Sequence, residues 1–193
     1  MKILSTRTVH SGYLEVVEAQ VAGQDGRVFA RQIEQHGHAA AVLPYDPARR
    51  LALLIRAPRA PVVLAGGPDR LVEAPAGMLE DGERAETCVI REAFEEAGVR
   101  LSALEFVARA WTSPGVSTET LALFLAPYAL ADRQGKGGGL AEENEDVEAF
   151  EIPLAELWAE VEAHRIADLK TLTLVQALRL RRPALFAAGG TGG

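Results

Sequence analysis

Three glutamates, Glu92, Glu95 and Glu96, stand at offsets of three and four residues. On a helix that spacing puts all three carboxylates on one face, within reach of a single point. Arg91 precedes them and can pair with Glu95 one turn on. Three carboxylates this close repel one another unless cations lie between them, and the natural occupants are hard, oxygen-seeking ions such as Mg²⁺ or Mn²⁺. Ions held in that way neutralise anionic substrates and lower the pKa of a bound water, which is chemistry suited to hydrolysis. A solvated face is the ordinary fate of a glutamate-rich helix, so the spacing needs context before it means a site.

The elements that must position these side chains can be read from the same sequence. Residues 84–97 are rich in Ala, Glu and Arg and stop at Gly98, as helices often do. Val89, Ala93 and Ala97, flanked by Ile90 and Phe94, give this helix an apolar side opposite its glutamates. Upstream, 13–21 and 28–33 alternate with period two around Asp25-Gly26, a tight-turn signal, and predict a small antiparallel sheet. Residues 39–44 and 51–56 read as paired core strands, 71–73 as a short strand, and 104–111, 120–128 and 147–152 as three more. Helices are expected over 154–164 and 170–181, and Gln134–Gly139 reads as a flexible loop by composition. Trp111 and Trp158 sit in apolar patterns and are expected in the core. The mixture lacks the regular strand–helix alternation of a doubly wound sheet, and the class is α+β.

Composition limits the function. Of 193 residues 48% are hydrophobic and 24% charged, the balance of an ordinary globular protein. The net charge of −7 argues against a broad nucleic-acid footprint, which needs a basic face. The single cysteine, Cys88, excludes an internal disulfide framework and fits a reducing cytoplasm. No signal peptide is expected at the N-terminus, and the longest apolar runs, about ten residues, fall short of a membrane span. The four histidines are scattered and receive no role.

The context that lifts the glutamates above a surface run begins at Gly77. From there to Val99 the residues follow G-x5-E-x7-R-E-x2-E-E-x-G-V, with Gly77, Glu83, Arg91, Glu92, Glu95, Glu96 and Gly98 at the fixed positions. This resembles the signature of the Nudix hydrolases, a loop-helix-loop that binds metal and pyrophosphate. Ala93 departs from it, standing where the family usually has Ile, Leu or Val; that touches packing rather than chemistry. The resemblance implies an α/β/α sandwich with a mixed sheet. It implies metal binding by Glu92, Glu95, Glu96 and the carbonyl of Ala76, with Arg91 orienting the glutamates and Glu83 supporting the loop.

Further features point within the family. Glu73-Ala74-Pro75-Ala76-Gly77 resembles the lead-in of enzymes that cleave nucleoside diphosphate sugars. Ser113-Pro114-Gly115 places Pro114 sixteen residues after Gly98, as in the ADP-ribose pyrophosphatase branch. Residues 139–147 resemble the acidic loop that supplies the catalytic base there, and Gly137-Gly138-Gly139 resembles the GDP-mannose pyrophosphatases of the same branch. By this resemblance Glu143, with Glu145 as the alternative, is the base. Arg56 and Arg59 meet substrate phosphates, an arrangement suited to the guanidinium fork. Glu73 and Glu119 are weaker candidates for holding the sugar or a metal-bound water.

The expectation is thus an N-terminal antiparallel sheet over 1–37 that mediates a homodimer, a hydrolase domain over 38–182, and a flexible tail over 183–193. The activity expected is Mg²⁺-dependent hydrolysis of a nucleoside diphosphate sugar, ADP-ribose or GDP-mannose alike, with Mn²⁺ as a substitute ion. A non-catalytic module that senses a nucleotide sugar is the alternative; the full set of metal glutamates favours the enzyme. A nucleic-acid role such as cap removal ranks third.

Overall fold

Along residues 15–22 Val17, Ala19 and Val21 are buried and their neighbours are not, the period-two mark of a strand covered on one face. The structure, a computed structural model, describes residues 1–139 and 146–187. This strand, β2 (Glu15–Ala22), lies between β1 (Lys2–Ser11) and β3 (Val28–Gln35) in an antiparallel sheet of order β1-β2-β3. The turn before β3 contains Gly26 at φ 76°, the left-handed conformation that Asp-Gly announces. β1 is an edge strand with every residue exposed. These strands group with residues 109–121 as one compact unit, in which Glu34 and Thr118 bond through their backbones at 3.0 Å.

A larger mixed sheet has most of its residues in the second unit. Its strands are β4 (Ala39–Asp46), β5 (Leu51–Ala57), β6 (Leu71–Glu73), β7 (Ala76–Met78), β8 (Glu105–Trp111), β9 (Thr120–Pro127) and β10 (Glu148–Pro153). The order is β10-β5-β4-β9-β8, with β6 paired to β5 and β7 to β4. Every residue of β4 is buried, so the sheet is covered on both faces. On one face Ala40, Val42, Leu53, Ile55 and Phe124 pack with Ala85, Cys88, Val89, Ala93 and Ala97 of helix α2 (Ala85–Ala97). The alternate residues Leu43, Leu54 and Leu125 serve the other face, where helices α3 (Leu154–Glu162) and α4 (Leu169–Arg181) bury Leu154, Leu157, Leu174 and Leu178. Ala93, the departure from the family pattern, is fully buried in the α2 cluster.

Several expectations need correction. A short helix α1 (Ala60–Leu64) and strand β7 were not foreseen; five and three residues carry too little periodicity to read. Trp111 is 59% exposed rather than core. The stretch after residue 182 begins with a 3₁₀ turn, Pro183–Phe186, whose buried Phe186 packs edge-on against Trp158. Gln134–Gly139, read as flexible, is bonded to the C-terminus of α2: Gly135 N donates to Gly98 O, Gly138 N to Glu96 O and Gly139 N to Glu95 O, all at 2.9–3.0 Å. These are the carbonyls a helix end leaves unpaired. Gly98 itself closes α2 at φ 66°. No helix among the described residues is long and apolar enough to cross a membrane.

Leu54 on β5, an interior strand of the sheet, is fully buried. Leu54→Ala is therefore expected to destabilise the fold by about 2–5 kcal/mol, read as a lowered midpoint in urea with little change in slope.

Candidate active site

The site is assembled from one short strand and one helix. β7 delivers Ala76 and Gly77, and α2 delivers the carboxylates. Glu92 and Glu96 are 8% and 2% exposed, so these are buried acids that must be neutralised or hydrogen-bonded where they stand. Glu96 Oε2 accepts from the backbone N–H of Ala76 at 2.9 Å. Arg91 Nη1 donates to Glu92 Oε1 at 2.7 Å and to Glu95 Oε2 at 3.1 Å. Its other donors reach Glu83 at 3.3 and 3.1 Å and the Met78 carbonyl at 3.3 Å. The hydrogen bond from Arg91 holds the Glu83 carboxyl below its usual range, and Glu83 in turn accepts from Glu80 N at 3.1 Å within the loop.

Gly77 is demanded by close approach. A Cβ there would lie 1.7 Å from Glu92 Oε1, so any side chain at this position would force the Glu92 carboxylate to move. Cys88 Sγ lies 3.5 Å from the Gly77 carbonyl. Burial first, and then the charge of Glu92, push its thiol up to about 12, so it packs rather than reacts.

A second acidic residue adjoins this cluster. Glu73, 2% exposed, takes both ends of the Arg59 guanidinium, at 2.7 and 3.2 Å, and a further bond from Lys170 Nζ. Burial alone would push the Glu73 carboxyl up; the Arg59 hydrogen bond and the charge of Lys170 bring it below its usual range instead. Lys170 also donates to Asp168 at 3.0 Å. Asp168 caps α4 by accepting from Thr171 N at 2.9 Å. Lys170, Asp168 and Thr171 escaped sequence reading, although Asp168 three residues before Thr171 at a helix start is a cap signal that could have marked them.

Of the remaining candidates, Arg56 stacks on the Phe150 ring at 3.8 Å and faces Glu148 at 3.5 Å. Glu119 belongs to the other compact unit, where Thr112 Oγ1 donates to it at 2.6 Å. There His36, given no role from sequence, lies between Glu34 at 3.0 Å and Glu119 at 3.6 Å. Glu143 and Glu145 lie outside the described residues. The stretch they occupy is entered from Gly139, bonded to the Glu95 carbonyl, and left at Asp146, which Arg70 holds through an ion pair.

A NUDIX domain model matches residues 35–174. The chain belongs to the NUDIX family. It is 42% identical over 161 residues to a GDP-mannose pyrophosphatase of Cronobacter sakazakii, covering 82% of this chain and 83% of that protein. To a GDP-mannose pyrophosphatase of Escherichia coli it is 30% identical over 184 residues, covering 93% and 92%. A crystal structure of an ADP compounds hydrolase superposes with a TM-score of 0.76 over 95% of this chain and 94% of that one, at 18% identity, which is likeness of fold.

Nudix hydrolases generally use divalent metals, and the donor set can be tested against one. Its type fits: carboxylate oxygens in excess of their shared guanidinium, beside a backbone carbonyl, are what hard cations take. Its arrangement is set by Arg91, and among the described residues no three acidic, histidine or cysteine side chains converge on one point as they stand. The ion pairs with Arg91 fix the directions of Glu92 and Glu95. A groove of about 500 Å³ bordered by Arg91, Glu95, Phe94 and Arg100 leaves Glu95 reachable from outside.

Two outcomes follow. Gly77→Ala is expected to displace Glu92 and lower turnover about 10²-fold with the fold retained, checked by kinetics beside circular dichroism. The lowered Glu73 pKa stabilises the fold fully above 4.5, the ordinary glutamate value, and that contribution is lost as pH falls through the lower folded value. Urea midpoints of Glu73→Gln should accordingly fall less steeply than wild type below pH 4.5.

Proposed function

We propose that this Nudix protein hydrolyses the pyrophosphate bond of a nucleoside diphosphate sugar, with GDP-mannose as the preferred substrate and Mg²⁺ as the cofactor, replaceable by Mn²⁺. The observation that carries the reading is the meeting of Glu96 with Ala76 at 2.9 Å beside two glutamates that share one arginine. The GDP-mannose assignment is supported by relatives of that name at 42% and 30% identity. ADP-ribose is the second reading, supported by the Glu73–Gly77 lead-in and the Ser113-Pro114-Gly115 turn.

Glu92, Glu95, Glu96 and the Ala76 carbonyl would hold the ion. Divalent cations in such a site neutralise the diphosphate and lower the pKa of water. Arg91 keeps the glutamates directed and Glu83 keeps Arg91 directed. Arg59, positioned by Glu73, and Arg56 receive phosphate oxygens. Glu143, with Glu145 as the alternative, takes the proton of the attacking water. As the water oxygen bonds to phosphorus, the bridging P–O bond breaks, and its electron pair leaves with the second phosphate. The products are a nucleoside monophosphate and a sugar phosphate. The protein is assigned to the cytoplasm, where a lone buried thiol is at home.

We further assign the first sheet to a homodimer interface. Its edge strand β1 presents Ile3, Leu4 and Val9, each 41–54% exposed, on an unpaired rim of a kind that invites another chain. Light scattering should give twice the monomer mass.

The activity is tested by resolving products. GDP-mannose with Mg²⁺ should yield GMP and mannose 1-phosphate, and a chelator should stop the reaction. Glu96→Gln and Glu143→Gln should each lower turnover by roughly 10²–10⁴-fold, with metal binding lost in the first and kept in the second. Tight binding of GDP-mannose without product would make the protein a sensor.

A further inference from the structure

The segment from Glu73 to Ala76 is held at four consecutive residues while it crosses from the β5 edge to the β4 edge. The Glu73 side chain is gripped by Arg59 and Lys170, Ala74 N donates to Thr171 Oγ1 at 2.7 Å, Pro75 O accepts from Val42 N at 3.0 Å, and Ala76 N donates to Glu96 at 2.9 Å. Of these, the Thr171 contact alone joins a buried hydroxyl to a buried main-chain amide: both residues are 0% exposed. The hydroxyl also donates to Asp168 Oδ2 at 2.5 Å. An ionised carboxylate can only accept and an amide N–H can only donate, so the hydroxyl hydrogen is committed to Asp168 and a lone pair to Ala74. The bond has one direction available to it.

We infer that Thr171 is a positioning residue for metal binding: through the Ala74 amide it fixes the segment that leads to the Ala76 carbonyl, although it lies on α4 rather than among the proposed ligands. The inference rests on the proposed reading that Ala76 and Glu96 hold the divalent cation. Val has the shape of Thr without the donor and acceptor, and Ser has both without the methyl. The two substitutions therefore separate hydrogen bonding from packing.

The test is Mn²⁺ titration of wild type, T171V and T171S by electron paramagnetic resonance, with thermal midpoints of the metal-free proteins and KM for GDP-mannose at saturating Mn²⁺. T171V should weaken Mn²⁺ binding about tenfold and T171S by no more than about twofold, the scale of an outer-shell partner. KM at saturating Mn²⁺ should not move. A merely structural role would lower the midpoint and leave the Mn²⁺ affinity alone; that result, or equal loss in T171S and T171V, overturns the inference. Should T171V not fold, D168A removes the acceptor that orients the hydroxyl and should also weaken Mn²⁺ binding, and wild-type affinity there would refute the relay. Absence of Mn²⁺ binding in wild type itself overturns the underlying reading instead, and the inference falls with it.

Discussion

Carboxylates stacked one turn apart on a buried helix face cannot stay together unaided, and here a single guanidinium makes them compatible. Arg91 binds Glu83, Glu92 and Glu95 and the Met78 carbonyl at once. The fork shape matters, because five fixed donors can serve several acceptors where an ammonium would serve them one at a time. The consequence runs outward. Glu83 is drawn back over the start of α2, which closes the loop after β7, and the Met78 bond ties that strand to the same side chain. Loop, strand and helix are registered by one residue whose own position follows from the apolar side of α2 packing on the sheet.

Backbone contact completes what the arginine begins. Gly77 allows the β7 main chain to lie where Glu92 would collide with any side chain, and the glycines after Gln134 let a loop bond to the last carbonyls of α2. The C-terminal end of the carboxylate helix is therefore held by main chain, while its start is tied to the loop through the Arg91 side chain. A site so built changes little in shape when one side chain rotates.

How much of this could be read in advance depended on sequence distance. Glu92, Glu95, Glu96 and Arg91 were legible because a helix converts spacing into a shared face without knowledge of the rest of the fold; Gly98 was legible as a helix stop, and Glu83 only through the family signature. The strands were legible wherever a buried face imposed alternation. Lys170 and Thr171 were not, since they meet Glu73 and Ala74 across a separation of 97 residues, and nothing local marks such a meeting. Trp111 misled because an apolar residue at a strand end obeys the pattern while lying past the covered part of the sheet. The glycine run misled for a different reason: composition reports how freely a chain can bend, whereas positive φ at Gly137, Gly138 and Gly139 is used here to reach a helix end.

The two acidic groups beside β7 are neutralised in opposite ways, and the contrast bears on their roles. Glu73 meets two cations, Arg59 and Lys170, the second shared with Asp168, and its carboxyl is held down accordingly. Glu83, Glu92 and Glu95 divide one cation among three. A carboxylate with its charge met twice gains little from a further ion, and its work is to hold Arg59 still. Carboxylates that share a guanidinium gain a great deal, because each added positive charge relieves repulsion among all of them in surroundings where water screens poorly. On the proposed reading the two groups divide the labour of the site: one fixes an arginine that could meet an anion, and the other keeps carboxylates that a cation could join.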